Sequence, residues 1–411
     1  MMTPRPILSA LRRHKIAAFL IVLEIALAFA IVSNALYIVV GRLQRIDLSS
    51  GIDEPGLVLL QLATAGAGRG TVASAQADLA ALRAIPGVES ATAINSLPLS
   101  NSQWGLAFAT HPLHNFANGV PLPVYMGGPR LLETLGIRLL QGSPLQPGAY
   151  RDIDPENALS SMVKFRQALI TEAFARRLWP HSDAVGKVMY MGELPVLVVG
   201  VVSNIIKPYI SANAADPGNY YAAILPFRLG PDLNAWYALR CKPAVCPRVL
   251  KAAAGKLQAM HPTETLNAQE SFTHMRQRYF RNDRAMAWLL AGTVLALLAV
   301  TAVGIVGLAS FWVQQRTRQI GVRRALGARR IDILRYFQTE NFLLATAGIA
   351  LGCAAAIGIN VWLMAHYAVP RLPVMYLPLG ALLLWGLGQL AVLGPALRAA
   401  RVAPTVAMRA A

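Results

Sequence analysis

The chain has 411 residues, 55% of them hydrophobic and only 14% charged, with a net charge of +18 at pH 7. So apolar a composition excludes an ordinary soluble protein of this length. The cations cluster beside the apolar runs, which speaks for contact with membrane lipids and against a nucleic-acid partner.

In chain order, residues 1–15 form a short amphipathic segment with Arg5, Arg12, Arg13 and Lys15 and no acid. Ile16–Val40 is apolar and longer than the ~20 residues needed to cross a bilayer. It lacks the short apolar core and small-residue cleavage site of a signal peptide, so it reads as a retained anchor. Glu24 lies well inside it. A carboxylate in hydrocarbon is costly, so Glu24 is expected to be neutral or paired and to serve helix packing.

Residues 42–283 carry 22 Lys and Arg against 17 Asp and Glu, and are long enough for one or two compact domains. A strand is expected at Gly56–Leu62 and a helix at Val72–Ile85, with Leu79, Leu82 and Ile85 on one face. Pro86-Gly87 stops that helix, and Val88–Ile94 reads as a returning strand, together a βαβ-like unit. The Pro-, Gly- and Asn-rich stretch Leu97–Pro123 reads as a mobile insertion. Ala168–Ile170 reads as a strand leading into a helix at Thr171–Trp179, with Thr171 as its N-cap and Pro180 as its stop. Val185–Met191 and Pro195–Val202 read as paired strands turning at Gly192-Glu193. Tyr220–Leu225 and Trp236–Cys241 are further strands, and Pro247–Met260 is a helix. In "CKPAVC", Cys241 and Cys246 either bridge, if their Cα atoms come within about 7 Å in an oxidising compartment, or stay as two thiols.

Three more apolar segments follow, Ala285–Val313, Phe342–Val369 and Leu377–Leu397. Gly304 and Gly307 give the first a small face, and Gly348 and Gly352 form a small-xxx-small pair suited to close helix packing. Cys353 there reads as packing. Between the first two segments, "QQRTRQIGVRRALGARRIDIL" (314–334) sets six arginines against Asp332. Gly327 is placed to stop a helix in a left-handed conformation, and "RRIDIL" to restart one. Gly321, Ala325 and Ala328 would let another surface approach the backbone, while arginine supplies bidentate hydrogen bonds. Ile320, Val322 and Leu326 add apolar contact. Lipid anchoring accounts for the arginines but not for the glycines and alanines, so the segment reads as a helix that docks on a soluble partner.

Loops rich in Lys and Arg stay in the cytoplasm. Residues 1–15, the connector 314–335 and the tail with Arg398, Arg401 and Arg409 hold fourteen such cations against Asp332. Both termini and the connector are therefore expected inside, and 42–283 outside. No G-x-x-x-x-G-K-[ST] loop occurs. "GAGRGT" (66–71) is a glycine-rich turn, "HPLHN" (111–115) offers two histidines without a third ligand, and no G-x-S-x-G elbow stands out. The chain is expected to be no enzyme in its own right and to bind no metal or cofactor.

"QQRTRQIGVRRALGARRIDILRYFQTENFLL" resembles the signature of the FtsX-like permease domain, found in the MacB/LolC/FtsX class of ABC transporter subunits. "GPALRAARVAPTVAMRA" resembles that domain's closing segment. "PRLLETLGIRLLQGSPL", "ALITEAFARRLWPHSDAVGKVM" and "VVGVVSNI" resemble the MacB-type periplasmic core domain, as does "LIVLEIALAFAIVSNAL" followed by "GRLQRIDLSSGID".

The resemblance implies an α-helical membrane protein with four transmembrane helices and a large α+β extracytoplasmic domain between the first two. Its parts would be 1–15, a first span at 16–41, the periplasmic core at 42–283 and the permease domain at 284–411. It implies a permease subunit of a type VII-like ABC transporter in the bacterial inner membrane. Arg316, Arg318, Ile320, Gly321, Arg323, Ala325, Leu326, Gly327 and Ala328 would contact the ATPase. Gln319 stands where the family carries an acid, and Glu24 where it commonly carries Glu or Gln. ATP and Mg²⁺ would belong to a separate cytoplasmic ATPase chain, because this one starts with a short basic segment. A second permease subunit, identical or paralogous, is expected beside it, with a periplasmic adaptor of the membrane-fusion type and a TolC-like outer-membrane channel beyond. The rival expectation is an FtsX-like regulator that does not transport, or a membrane sensor acting on a periplasmic partner.

Overall fold

The computed structural model describes residues 15–63, 71–114, 118–153, 161, 164–231, 235–367 and 371–401. The segment before Lys15, most of the "GAGRGT" turn, Asn115 and the tail beyond Arg401 lie outside the described residues. The chain falls into two units, one of residues 1–46 with 283–411 and one of 47–282.

A long helix, α1 (Lys15–Ile46), precedes the α+β unit. That unit opens with β1 (Leu57–Ala63), α2 (Val72–Arg83) and β2 (Val88–Ile94). Then come β3 (Trp104–Phe108), β4 (Val120–Gly127), α3 (Leu131–Leu135), β5 (Leu139–Gly142), β6 (Arg151–Asp152) and β7 (Gln167–Thr171). After α4 (Glu172–Leu178), the strands β8 (Val188–Met191) and β9 (Leu194–Val202) form a hairpin. The unit closes with β10 (Ala223–Arg228), β11 (Trp236–Cys241), α5 (Cys246–Met260), β12 (Thr265–Ser271) and α6 (Phe272–Tyr279). The main sheet runs β12-β1-β11-β2-β4-β10-β7-β9-β5, with β3 on β4, β6 on β10 and β8 on β9.

The sheet is two lobes sewn together. In one, α2 and α5 cover β1, β2 and β11 around Leu60, Leu79, Leu239 and Leu257. In the other, Val124, Phe165, Phe174, Val198 and Phe227 build a separate core. Between them, β2 meets β4 at Ile94 opposite Gly127. Buried Asn95 then takes over from the ladder: its Oδ1 accepts from the Met126 N–H at 2.7 Å and its Nδ2 donates to the Val124 carbonyl at 3.0 Å. An amide does at this seam what the strand edge alone does not.

Three local expectations change. The βαβ unit is split: β11 lies between β1 and β2, antiparallel to both. A pattern of apolar residues fixes each strand's faces but does not name its neighbour. The Leu97–Pro123 stretch holds β3 and the start of β4 instead of forming a mobile insertion, with Leu97, Phe108 and Leu122 buried. Thr171 does stand at the N-cap of α4, yet its hydroxyl donates to the Tyr220 carbonyl at 2.7 Å. The cap comes instead from Asn204, whose Oδ1 accepts from the Ala173 N–H at 2.8 Å.

Cys241 and Cys246 are disulfide-bonded with Cα atoms 5.6 Å apart, tying the end of β11 to the start of α5. At the other end of α5, buried Asp78 of α2 accepts from the Tyr237 hydroxyl at 2.6 Å and lies 2.8 Å from His261 Nε2. Burial first, and the Asp78 charge second, push the Tyr237 hydroxyl's ionisation far above its ordinary range.

The helical unit contains α1, α7 (Arg281–Gln315), α8 (Thr317–Ala325), α9 (Arg330–Tyr367) and α10 (Tyr376–Ala400). Among the described residues, α1, α7, α9 and α10 are long and apolar enough to cross a membrane. The helix expected to begin at Phe342 is continuous with the one restarting at Arg330, giving α9 its 38 residues, about 57 Å at 1.5 Å per residue. Polar residues at 335–341 do not break it, because their backbone hydrogen bonds stay within the helix. α9 crosses α1 where Gly348 and Gly352 stand. A Cβ on Gly348 would lie 2.8 Å from Ile25 Cβ, and one on Gly352 would lie 2.8 Å from Phe29 Cβ. Here the two backbones approach closely because there is no side chain between them. Asn34 of α1 donates across the same contact to the Ala356 carbonyl at 3.1 Å.

Candidate functional site

The arginine-rich segment is a helical hairpin built by three devices. α7 ends at Gln315, and Arg316 leaves helical geometry with φ −103° and ψ 9°. α8 then runs two turns and ends in a paired closure: the Gly327 N–H donates to the Arg324 carbonyl and the Ala328 N–H to the Arg323 carbonyl, each at 3.1 Å. That arrangement needs a left-handed residue, which Gly327 supplies with φ +97°. α9 starts at once, with Asp332 Oδ2 accepting from the Arg329 N–H at 2.9 Å.

The nine residues singled out from the sequence divide into two sets. Arg316, Ile320 and Gly321 face their own chain. Arg316 Nη1 donates to Glu340 Oε1 at 3.1 Å and Oε2 at 3.0 Å, and Glu340 is 1% exposed. The guanidinium also lies over the Trp312 ring. Ile320 and Gly321 are buried, and Ile320 joins a core with Ile333 and Phe337. Arg318, Arg323, Ala325, Leu326 and Gly327 are exposed, and Ala328 is half-buried. Arg323 lies over the Tyr336 ring at 5.2 Å. Leu326, at 83% exposed, is an apolar side chain at the tip of the turn. Arg318, Val322 and Leu326 are spaced four apart, so they share one exposed face of α8.

Beside that face is a cleft lined by Arg316, Gln319, Arg323, Tyr336 and Phe337. Its polar lining sets Arg316 and Arg323 beside Asp332, and Ile320, Ile333 and Phe337 supply its apolar part. Arg324 anchors the hairpin from the other side by donating to the Ala400 carbonyl of α10 at 3.2 Å. Sequence reading missed Glu340 and Tyr336. The signal was present, since Glu340 is an acid at the edge of an apolar segment in a chain with few intramembrane acids.

Elsewhere, Glu24 is half-buried and packs on α7, where a Cβ on Gly304 would lie 2.7 Å from its Oε1. Gly307 has open space beside it. His114 is exposed and sits 2.8 Å from Glu193 Oε1. Among the described residues, no group of three His, Cys, Asp or Glu could hold a metal.

Two family models match the chain: the MacB-like periplasmic core domain over residues 18–247 and the FtsX-like permease C-terminal over 291–404. Among curated proteins it is similar to the macrolide export ATP-binding/permease protein MacB of Shewanella sp. (strain ANA-3), 27% identical over 366 residues, 86% of this chain and 52% of that one. The protein of the same name from Bordetella avium (strain 197N) is 30% identical over 182 residues, 44% of this chain and 28% of that one. The chain thus spans about half the length of the first of these relatives. Among solved structures, the periplasmic region of MacB from Actinobacillus actinomycetemcomitans matches with 13% identity and a TM-score of 0.33, covering 56% of this chain and 94% of that one.

Proposed function

This chain belongs to the family of MacB-type permeases, with its MacB-like periplasmic core domain and FtsX-like permease region, and on that premise we propose that it is the membrane subunit of an ABC exporter. A separate cytoplasmic ATPase grips the hairpin, and its closure on ATP moves the helices and, through them, the α+β unit on the other side of the inner membrane. Two permease subunits work as a pair, because ATPases of this class act as dimers. A periplasmic adaptor and an outer-membrane channel extend the path, and the name of the relatives, macrolide export, supports export as its direction.

The observation that carries this reading is the exposed face of α8. Leu326 and Val322 offer apolar contact, Arg318 and Arg323 offer cations, the second held over the Tyr336 ring, and Gly327 leaves the tip of the turn without a side chain. A partner can approach the backbone there, and the arginines can bind its carboxylates in bidentate fashion. The inward set, Arg316 with Glu340 and Ile320 with Phe337, fixes the hairpin to α9 so that a push on it is transmitted.

The test uses the full chain purified from its native membranes in mild detergent. An ABC-type ATPase is expected to accompany the unaltered chain and to be lost from Gly327→Trp, which still inserts in the membrane. Equal recovery of the ATPase with both would remove the docking claim. Absence of any ATPase from the unaltered chain would favour the sensor reading.

A further inference from the structure

Another cavity lies in the helical unit, away from the hairpin, where the last turns of α9 face the first turn of α10. Its volume is about 540 Å³, within the range of about 300–1,000 Å³ found for sites that hold small organic molecules. Val361, Met364, Val374 and Leu377 form apolar walls, and Asn360 and Arg371 are its polar groups. No acid lines it.

Asn360 is 3% exposed. Its Oδ1 accepts from the Leu372 backbone N–H at 2.9 Å, which fixes the amide with Nδ2 as the free end. That Nδ2 is buried and has no acceptor among the described residues. Buried donors are nearly always paired, and because Asn360 lines the cavity, an acceptor that enters it can complete the pair. Arg371 stands exposed at the rim and adds a full positive charge. Val361 and Val374, at 59% and 75% exposed, leave the apolar wall open to the side. A donor, a cation and an open hydrocarbon wall describe the receptor for an anionic amphiphile.

We propose that this cavity is a specific site for an anionic phospholipid, whose uncompensated head-group phosphate is held by Arg371 and Asn360 and whose acyl chain lies along Val361, Met364 and Val374. A free phosphate would leave the apolar wall uncovered, so the lipid is the occupant the lining favours. The proposal rests on the reading of α9 and α10 as membrane helices and is independent of what grips the hairpin.

The full chain, purified and delipidated in mild detergent, is titrated with phosphatidylglycerol or phosphatidylcholine, and bound lipid is counted by native mass spectrometry. Phosphatidylglycerol is expected to bind about tenfold more tightly than phosphatidylcholine. Arg371→Ala should abolish that preference, Arg371→Lys should largely restore it, and Val361→Trp should reduce retention of both lipids by filling the cavity. Excess inorganic phosphate should compete weakly. Equal affinity for the two lipids in the unaltered chain would overturn the proposal. So would unchanged phosphatidylglycerol binding in both Arg371→Ala and Val361→Trp, or full displacement by phosphate. Recovery of the ATPase from the same preparations reports on the hairpin separately, so loss of lipid binding with the ATPase retained touches this site alone.

Discussion

Arg316 and Arg318 stand two residues apart in one basic run, and the fold uses them in opposite ways. Arg316 turns inward onto Glu340 and is 11% exposed in its side chain, whereas Arg318 points out. A buried carboxylate whose partner cation is removed, or the reverse, typically costs about 3–5 kcal/mol. Glu340→Gln is therefore expected to lower the thermal unfolding midpoint of the detergent-solubilised chain strongly, while Arg318→Ala leaves the midpoint unchanged and weakens recovery of the ATPase. A midpoint unmoved by Glu340→Gln would show that Arg316 is held by something else. In the α+β unit, Tyr237 holds Asp78 in the same way. Tyr237→Phe removes the donor from a buried carboxylate, a loss of about 1–3 kcal/mol, measurable as an earlier denaturant midpoint. Below the ordinary tyrosine range the native state keeps this hydroxyl protonated and bonded. The stability it contributes is present there and is lost as pH rises past about 10, where the unfolded chain's tyrosine ionises.

Among the elements, those with a strong local signal were legible from residues alone. β2 and β11 fall where alternation and apolar runs put them, and α2 stops short of Pro86-Gly87. β3 and β4 were not legible, because Pro121, Pro123 and the nearby glycines and asparagines disguise two strands that pair with each other, and β4's other partner, β10, is far away in sequence. β11 inserting between β1 and β2 is a pairing decision, made by long-range packing that no window of sequence contains. For the helices, the small residues of α9 carry a definite load. Gly348→Leu would drive a side chain into Ile25 and the Val22 carbonyl of α1. Overpacking of this kind costs about 1–3 kcal/mol, so a clear fall in the yield of folded chain is expected. Gly307→Leu, with open space beside it, should be tolerated by comparison. Equal yields would mean that α1 and α9 do not meet as described.

At the scale of the whole molecule, composition alone separated a membrane part from a nearly charge-balanced α+β part, because burying helices in lipid demands a different residue economy from burying a sheet in its own core. The hairpin was legible as a stretch but not as a surface. Its arginines, glycines and alanines marked where to look, while only the packing against Glu340, Tyr336 and Phe337 separates the residues that support it from those that face outward. The cavity at Asn360 and Arg371 left no sequence signal, since it depends on which end of one amide is occupied.

Coupling through the hairpin requires its tip to face the cytoplasm, where an ATPase can reach it. The direct measurement is the sidedness of Leu326→Cys in a Cys353→Ser background, using a membrane-impermeant maleimide. Leu326 is 83% exposed, so reagent on its side of the membrane will find it. No labelling is expected in intact cells whose outer membrane has been permeabilised, and full labelling in inside-out vesicles stripped of the ATPase that would otherwise cover this tip. Labelling of that cysteine from the outer face would contradict this orientation.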